Sequence, residues 1–248
     1  TDLEQAAKAS IESIKEIIQT RGANHMAALI AEPIQGNGGI ITPPAWYFKE
    51  LKQLLEDNRI LLIIDEVQTG FARTGKMFAI EHYDVVPDIM TVAKALGNGM
   101  PISAFCTTDE VAKAFTKPSA STLGGNPVSS ATALAVLDYI EKYELCETAA
   151  HLGEMLKEGL IALQAKYSLI KDVRGIGLML GAELVKEDGQ PASEETDVIL
   201  EKLKDRGIIV GKNGLNRNVL AFQPPLVITE ANVQTLLHEL DEVLAELQ

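Results

Sequence analysis

The chain is poor in cysteine, has no excess of basic charge, and lacks any long apolar run. Its two cysteines, Cys106 and Cys146, do not form a C-x-x-C pair. That excludes a disulfide framework and fits a reducing compartment, so the expected location is the cytoplasm. Asp and Glu outnumber Lys and Arg by 35 to 22, giving a net charge of −13. A surface of that sign repels phosphate backbones and anionic lipid, so neither nucleic acid nor membrane is an expected partner. No apolar stretch approaches the roughly 20 residues that a membrane span requires. The histidines His25, His82, His151 and His238 are scattered without metal-ligand spacing, so no metal site is expected. There are no repeats and no low-complexity segments, and the chain opens on a helix-like segment rather than a secretion signal.

What remains is an ordinary globular composition: 248 residues, 46% hydrophobic and 23% charged. A chain of that length can bury a sizeable core. Leu3, Ala7, Ile11, Ile14, Ile17 and Ile18 recur at helical spacing. Short apolar runs at 26–32, 60–65 and 88–93 read as strands, and 44–58 reads as a helix between the first two. Strands alternating with helices imply βαβ units and a mostly parallel sheet. A further strand is expected at 102–107. A helical pattern follows Pro127, breaks around 144–148 and resumes to about 165. From there the pattern changes: strand at 173–184, helix at 193–206, strands at 207–211 and 219–222, and a last helix capped by Thr229. These predict an α/β domain over 1–141 and a smaller α+β domain over 142–248.

The strand ends carry the chemistry. Asp65 closes Ile60-Leu-Leu-Ile-Ile-Asp65, and Lys94 closes Asp88-Ile-Met-Thr-Val-Ala-Lys94, which runs straight into Ala-Leu-Gly-Asn-Gly-Met-Pro101. In a parallel sheet, residues at the carboxyl ends of neighbouring strands converge on one crevice. A lysine can form a Schiff base with an aldehyde cofactor, and a carboxylate can keep a pyridine nitrogen protonated. A strand-terminal lysine by itself is an ordinary surface residue, and only the surrounding motifs argue otherwise. Asp65 and Glu66 are consecutive, so in strand geometry only one of them can face the crevice. Glu32-Pro-Ile-Gln-Gly-Asn-Gly-Gly is another strand end with a glycine-rich turn. Ser121-Thr-Leu-Gly-Gly-Asn-Pro127 is a turn before a helix, where Thr122 and backbone amides can meet a phosphate. Gly97-x-Gly99 and Gly175-x-Gly177 lack the strand, G-x-G-x-x-G, helix context of a dinucleotide site.

Together these segments resemble the class III (omega-type) aminotransferases, which have the fold type I architecture of pyridoxal-phosphate enzymes. The resemblance runs from Glu32-Pro-Ile-Gln-Gly through Asp65-Glu-Val-Gln-Thr-Gly, Ala93-Lys-Ala-Leu-Gly-Asn-Gly-Met-Pro and Thr122-Leu-Gly-Gly-Asn-Pro to Arg174-Gly-Ile-Gly and Pro224-Pro-Leu. It implies pyridoxal 5′-phosphate held by Lys94 as a Schiff base, with Asp65 on the pyridine nitrogen and Gln68 near the 3-oxygen. Thr122 would bind the phosphate of a neighbouring subunit's cofactor, which implies a homodimer or larger assembly with shared sites. Glu32 would lie on the substrate side. The implied reaction moves an amino group from an amino acid or ω-amine to a 2-keto acid such as pyruvate, 2-oxoglutarate or glyoxylate. An aminomutase, racemase or decarboxylase of the same fold is a near alternative.

The sequence departs from the family in two places. Family members carry about as much again before the Glu-Pro-Ile-Gln segment, including a phosphate-binding turn and an aromatic that stacks on the ring. The resemblance therefore also leaves open a non-catalytic fragment, or one half of a split enzyme completed by a separate N-terminal chain. On that reading the isolated chain should hold the cofactor weakly. Many members also have an arginine three residues before Pro-Pro-Leu that binds a substrate carboxylate; here the position is Ala221.

Overall fold

A computed structural model describes residues 3–247. They fall into two compact units. The first contains residues up to Pro33, then Pro43–Phe71 and Met77–Tyr143; the second contains Ile34–Thr42, Ala72–Lys76 and the chain from Glu144 onward.

The first unit is built on strands β1 (Ala28–Ala31), β2 (Leu61–Asp65), β3 (Ile89–Val92) and β4 (Ala104–Thr107), hydrogen-bonded in that order. β1, β2 and β3 run parallel and β4 closes the sheet antiparallel. Helices α1 (Leu3–Arg21) and α2 (Tyr47–Asp57) supply Ile11, Ile18, Phe48, Leu51 and Leu55, which are buried in one cluster with Leu62 and Ile64 of β2. The period of two along β2 decides what the other face receives: Leu61, Ile63 and Asp65 point away from that cluster and are only half-buried. On β1, Ile30 sits beside Ile63 and is 61% exposed. Strands in parallel sheets are normally covered on both faces, so this face of the unit is open among the described residues.

A short helix α3 (Asp109–Ala112) and the long α4 (Pro127–Lys142) complete the unit. Asn126 starts α4, its side chain accepting from Ser129 N at 3.0 Å, with Pro127 at the first helical position. Phe105, Phe115, Leu123, Val128 and Leu134 of this unit are exposed.

The second unit is an antiparallel sheet of β5 (Ile170–Ile176), β6 (Met179–Leu184), β7 (Gly211–Asn213) and β8 (Val219–Phe222), in the order β5-β6-β8-β7. Helices α5 (Leu145–Lys166), α6 (Ser193–Asp205) and α7 (Glu230–Ala245) cover it. Leu156, Leu160, Leu180, Leu184, Ile199, Leu220, Val233 and Leu240 form the shared core, all essentially solvent-free. Thr229 caps α7 by accepting from Asn232 N.

Two sequence expectations change here. The single strand expected at 173–184 is a hairpin, β5 and β6, turning at Gly177-Leu178. The strand expected at 207–211 begins only at Gly211. Its apolar residues serve a loop instead: Ile208 and Val210 pack on the core, while Ile209 is 92% exposed.

Two segments distant in sequence are sewn into this second unit. Segment 34–42 buries Ile34 and Ile40 with Met179 and Ala221, and Arg174 Nε donates to Gly39 O at 2.8 Å. Asn213 Nδ2 also donates to Gly36 O at 3.0 Å. Segment 72–76 is held by Arg73, whose Nη1 donates to Leu178 O at 3.1 Å and Pro224 O at 2.6 Å. Leu178 N returns a bond to Arg73 O at 3.0 Å.

Candidate functional site

Because β1, β2 and β3 are parallel neighbours, their carboxyl ends lie along one edge of the sheet. Glu32 follows β1, Asp65 ends β2, and Lys94 stands two residues beyond β3. The topology thus gathers three residues that the sequence had singled out separately. A carboxylate and an amine at neighbouring strand ends can hold, from two sides, a ligand with a cationic ring and an electrophilic carbon.

Asp65 and Glu66 divide as the strand period requires. Glu66 is fully buried. Its carboxylate accepts from Ile80 N at 2.8 Å, from Ala79 N at 3.1 Å and from the Thr69 hydroxyl. Burial pushes its pKa above the usual carboxylate range, and the bonds from Thr69, Ile80 and Ala79 pull it partly back. Glu66 therefore pins the turn that follows β2. Asp65 is half-buried on the open face. Its Oδ1 accepts from Val67 N at 3.0 Å and from the Thr91 hydroxyl at 3.3 Å. Oδ2 receives no donor among the described residues. A carboxylate with one oxygen fixed and the other open suits a protonated ring nitrogen.

Gln68 lies half-buried on the same turn, between Glu66 and Gly70, whose N donates to Glu66 O at 2.9 Å. Lys94 is exposed and opens a single 3₁₀ turn, Lys94–Gly97, that packs against α4. Its φ of 43° lies in the left-handed region, which a residue with a Cβ enters at a cost of order 1 kcal/mol. Strain of this kind gathers at functional positions. Thr122 sits in an exposed turn in which Ser121 Oγ accepts from Gly124 N at 2.9 Å. Glu32 is half-buried just past β1.

Ala221 stands where the resemblance places a carboxylate-binding arginine. It is 5% exposed and walled in by Ile34, Ile40 and Met179. Sequence reasoning also passed over Thr91. Its only signal was that it sits three residues before Lys94, and its pairing with Asp65 depends on the β2–β3 register.

A parallel sheet edge carrying lysine and aspartate at adjacent strand ends is the architecture of fold type I pyridoxal-phosphate enzymes, and solved transaminases superpose on it. An amine transaminase from an uncultivated Pseudomonas species, in its PLP-bound form, matches with a TM-score of 0.92 and 34% identity over 99% of this chain and 58% of its own. The model of the family "Aminotransferase class-III" matches residues 1–244, and the chain belongs to that family. Membership brings pyridoxal 5′-phosphate as the cofactor. Among curated relatives, the mitochondrial alanine–glyoxylate aminotransferase 2 homolog 2 of Arabidopsis thaliana is 43% identical over 93% of this chain and 49% of its own length. The leucine/methionine racemase of Thermococcus litoralis is 44% identical over 91% of this chain and 51% of its own length. The chain thus spans about half the length of the curated relatives it matches.

Proposed function

We propose that this chain supplies the lysine and the ring-nitrogen carboxylate of an aminotransferase that passes an amino group from an amino acid or ω-amine to a 2-keto acid. The observation that carries the reading is the Asp65 carboxylate, fixed through Oδ1 and open at Oδ2, on the strand next to the one that leads into Lys94. These residues fit the cofactor: an open anion for a cationic nitrogen and an exposed amine for an aldehyde carbon. When bound, pyridoxal phosphate withdraws electrons from the substrate carbon and so makes its proton removable. Lys94 Nζ would hold the aldehyde carbon covalently, be displaced by the incoming amine, and then carry the proton from the substrate carbon as general base and return it as general acid. Asp65 would keep the ring nitrogen protonated by placing a negative charge against it. Gln68 would donate to the ring's 3-oxygen, Glu32 would line the substrate side, and Thr122 would reach the phosphate of a neighbouring subunit's cofactor.

Ile30 on the open sheet face and the exposed Phe105, Phe115, Leu123, Val128 and Leu134 offer apolar surface that association would cover. A second copy of the chain, or a separate N-terminal chain, would cover it.

The test is borohydride reduction with pyridoxal phosphate followed by peptide mass spectrometry. Reduction should fix the cofactor on the peptide containing Lys94, and Lys94→Ala should remove that adduct while the far-ultraviolet circular dichroism stays unchanged. Adduct spread over surface lysines, with none at Lys94, would overturn the reading. Racemisation is a second reading, favoured by the similarity to a leucine/methionine racemase. It predicts interconversion of D- and L-amino acids with no keto acid added, whereas the aminotransferase reading requires one.

A further inference from the structure

We propose that Thr91 is a positioning residue for this site: its hydroxyl locks the Asp65 carboxylate so that Oδ2 stays turned to the ring nitrogen. The proposal rests on the reading of Asp65 given above and deepens it.

Thr91 stands directly beside Asp65 in the β2–β3 register and on the same face of the sheet. Its hydroxyl donates to Asp65 Oδ1 at 3.3 Å, and Val67 N donates to the same oxygen at 3.0 Å. Two donors from different elements therefore converge on one oxygen. A carboxylate held by a single donor can swing about its χ angles, exchanging one oxygen for the other. Held by two, it has one orientation, and the unengaged oxygen is the one left for a ligand. The turn bearing Val67 is itself fixed by Glu66, whose N donates to Thr91 O at 2.9 Å. Thr91 thus holds the β2 end twice: through its carbonyl as strand pairing and through its hydroxyl as orientation. Only the second depends on the side-chain hydroxyl. Strand propensity alone does not explain the hydroxyl, since Val would fit the pleat equally well.

That separation gives the test. Thr91→Val keeps shape, β-branching and the backbone bond while removing the hydroxyl. Thr91→Ser restores the hydroxyl without the methyl. Amide exchange of the 248-residue chain, followed by nuclear magnetic resonance without cofactor, reads the Val67 N–H bond directly. In Thr91→Val, Val67 should exchange about tenfold faster, the size of one bond to a charged group. The Glu66 and Asp88 amides, which report strand pairing, should stay within about twofold of wild type. Thr91→Ser should return Val67 to within about threefold of wild type. Val67 exchange unchanged in Thr91→Val, or accelerated equally with Glu66 and Asp88, overturns the positioning role. Titration with pyridoxal phosphate, read by absorbance, separates the two levels. The dissociation constant should rise about tenfold in Thr91→Val and further in Asp65→Asn. If Asp65→Asn weakens binding and Thr91→Val does not, the Asp65 reading stands and the proposal fails. If neither weakens binding, the Asp65 reading fails and takes the proposal with it.

Discussion

Replacing Arg73 by Met should destabilise the second unit by about 3 kcal/mol, because one guanidinium nitrogen satisfies two backbone carbonyls there. Arg73 Nη1 reaches Leu178 O at 3.1 Å and Pro224 O at 2.6 Å, across 105 and 151 positions of sequence. Burial presses its pKa down to about 10, still far enough above neutrality to keep the group charged. Met fills similar space but donates nothing, so both carbonyls lose an ionised donor. Each such loss costs about 1–3 kcal/mol. Met also lifts the desolvation cost of the cation, which offsets part of the loss and brings the sum to about 3 kcal/mol. Arg73→Lys keeps the charge but replaces the rigid, planar guanidinium by an ammonium on a flexible stem, so it should recover about half of the loss. The measurement is urea unfolding together with hydrogen exchange of the β6 and β8 amides. Arg73→Met should lower the stability read from those amides enough to speed their exchange roughly a hundredfold. A loss below about 1 kcal/mol would show that water replaces the guanidinium on both carbonyls and that Arg73 is not the clasp of this segment. Equal damage in Arg73→Lys and Arg73→Met would show that an ammonium on the lysine stem reaches neither carbonyl.

Gly153→Ala should destabilise the same unit by more than about 3 kcal/mol: its new methyl would lie 2.3 Å from Gly177 C and O, which are backbone and cannot yield, against a helix-propensity gain of about 1 kcal/mol. Thermal melting checks it, and a melting temperature at or above wild type contradicts the close approach. For Glu66, a folded-state pKa raised above the ordinary value means that its contribution is fully present below the unfolded pKa and is lost as pH rises through the folded one. The stability gap between wild type and Glu66→Gln should therefore be widest near pH 4 and shrink toward neutrality; urea midpoints measured across that range decide, and a gap that widens with pH contradicts the burial argument. Ala221→Arg should cost at least about 3 kcal/mol by placing a guanidinium among Ile34, Ile40 and Met179, and an unchanged melting temperature would show that segment 34–42 swings aside to let the arginine out.

Most of the element pattern was legible because its causes are local. Pro127 and Asn126 mark the start of α4, and Thr229 marks the start of α7. The apolar run that became β2 ends on Asp65, and the run that became β3 ends at Val92, two residues before Lys94. The strand period already said that Asp65 and Glu66 must part ways, and β2 buries Leu62 and Ile64 on the face opposite Asp65. Thr91 was illegible for the opposite reason: its partner is set by a register between two strands, and no spacing within either strand encodes it.

The sequence alone determined the alternation of strand and helix, the residues at the strand ends and the resemblance to class III aminotransferases, since each is written in short-range periodicity or in an ordered set of motifs. Tertiary structure decided the hairpin at Gly177-Leu178 and the attachment of segments 34–42 and 72–76 to the second unit. The run Ile176-Gly-Leu-Met-Leu180 has no polar turn residue and reads as unbroken strand. It turns because Gly177, at φ 57°, lets the chain fold back where a Cβ would lie 2.5 Å from Thr74 C. Leu178 is completely buried there, and its N–H is met by Arg73 O rather than by water. A buried turn whose Leu178 N–H is satisfied from about a hundred residues away needs no polar turn residue, only the glycine that lets it fold back. Only packing could place it.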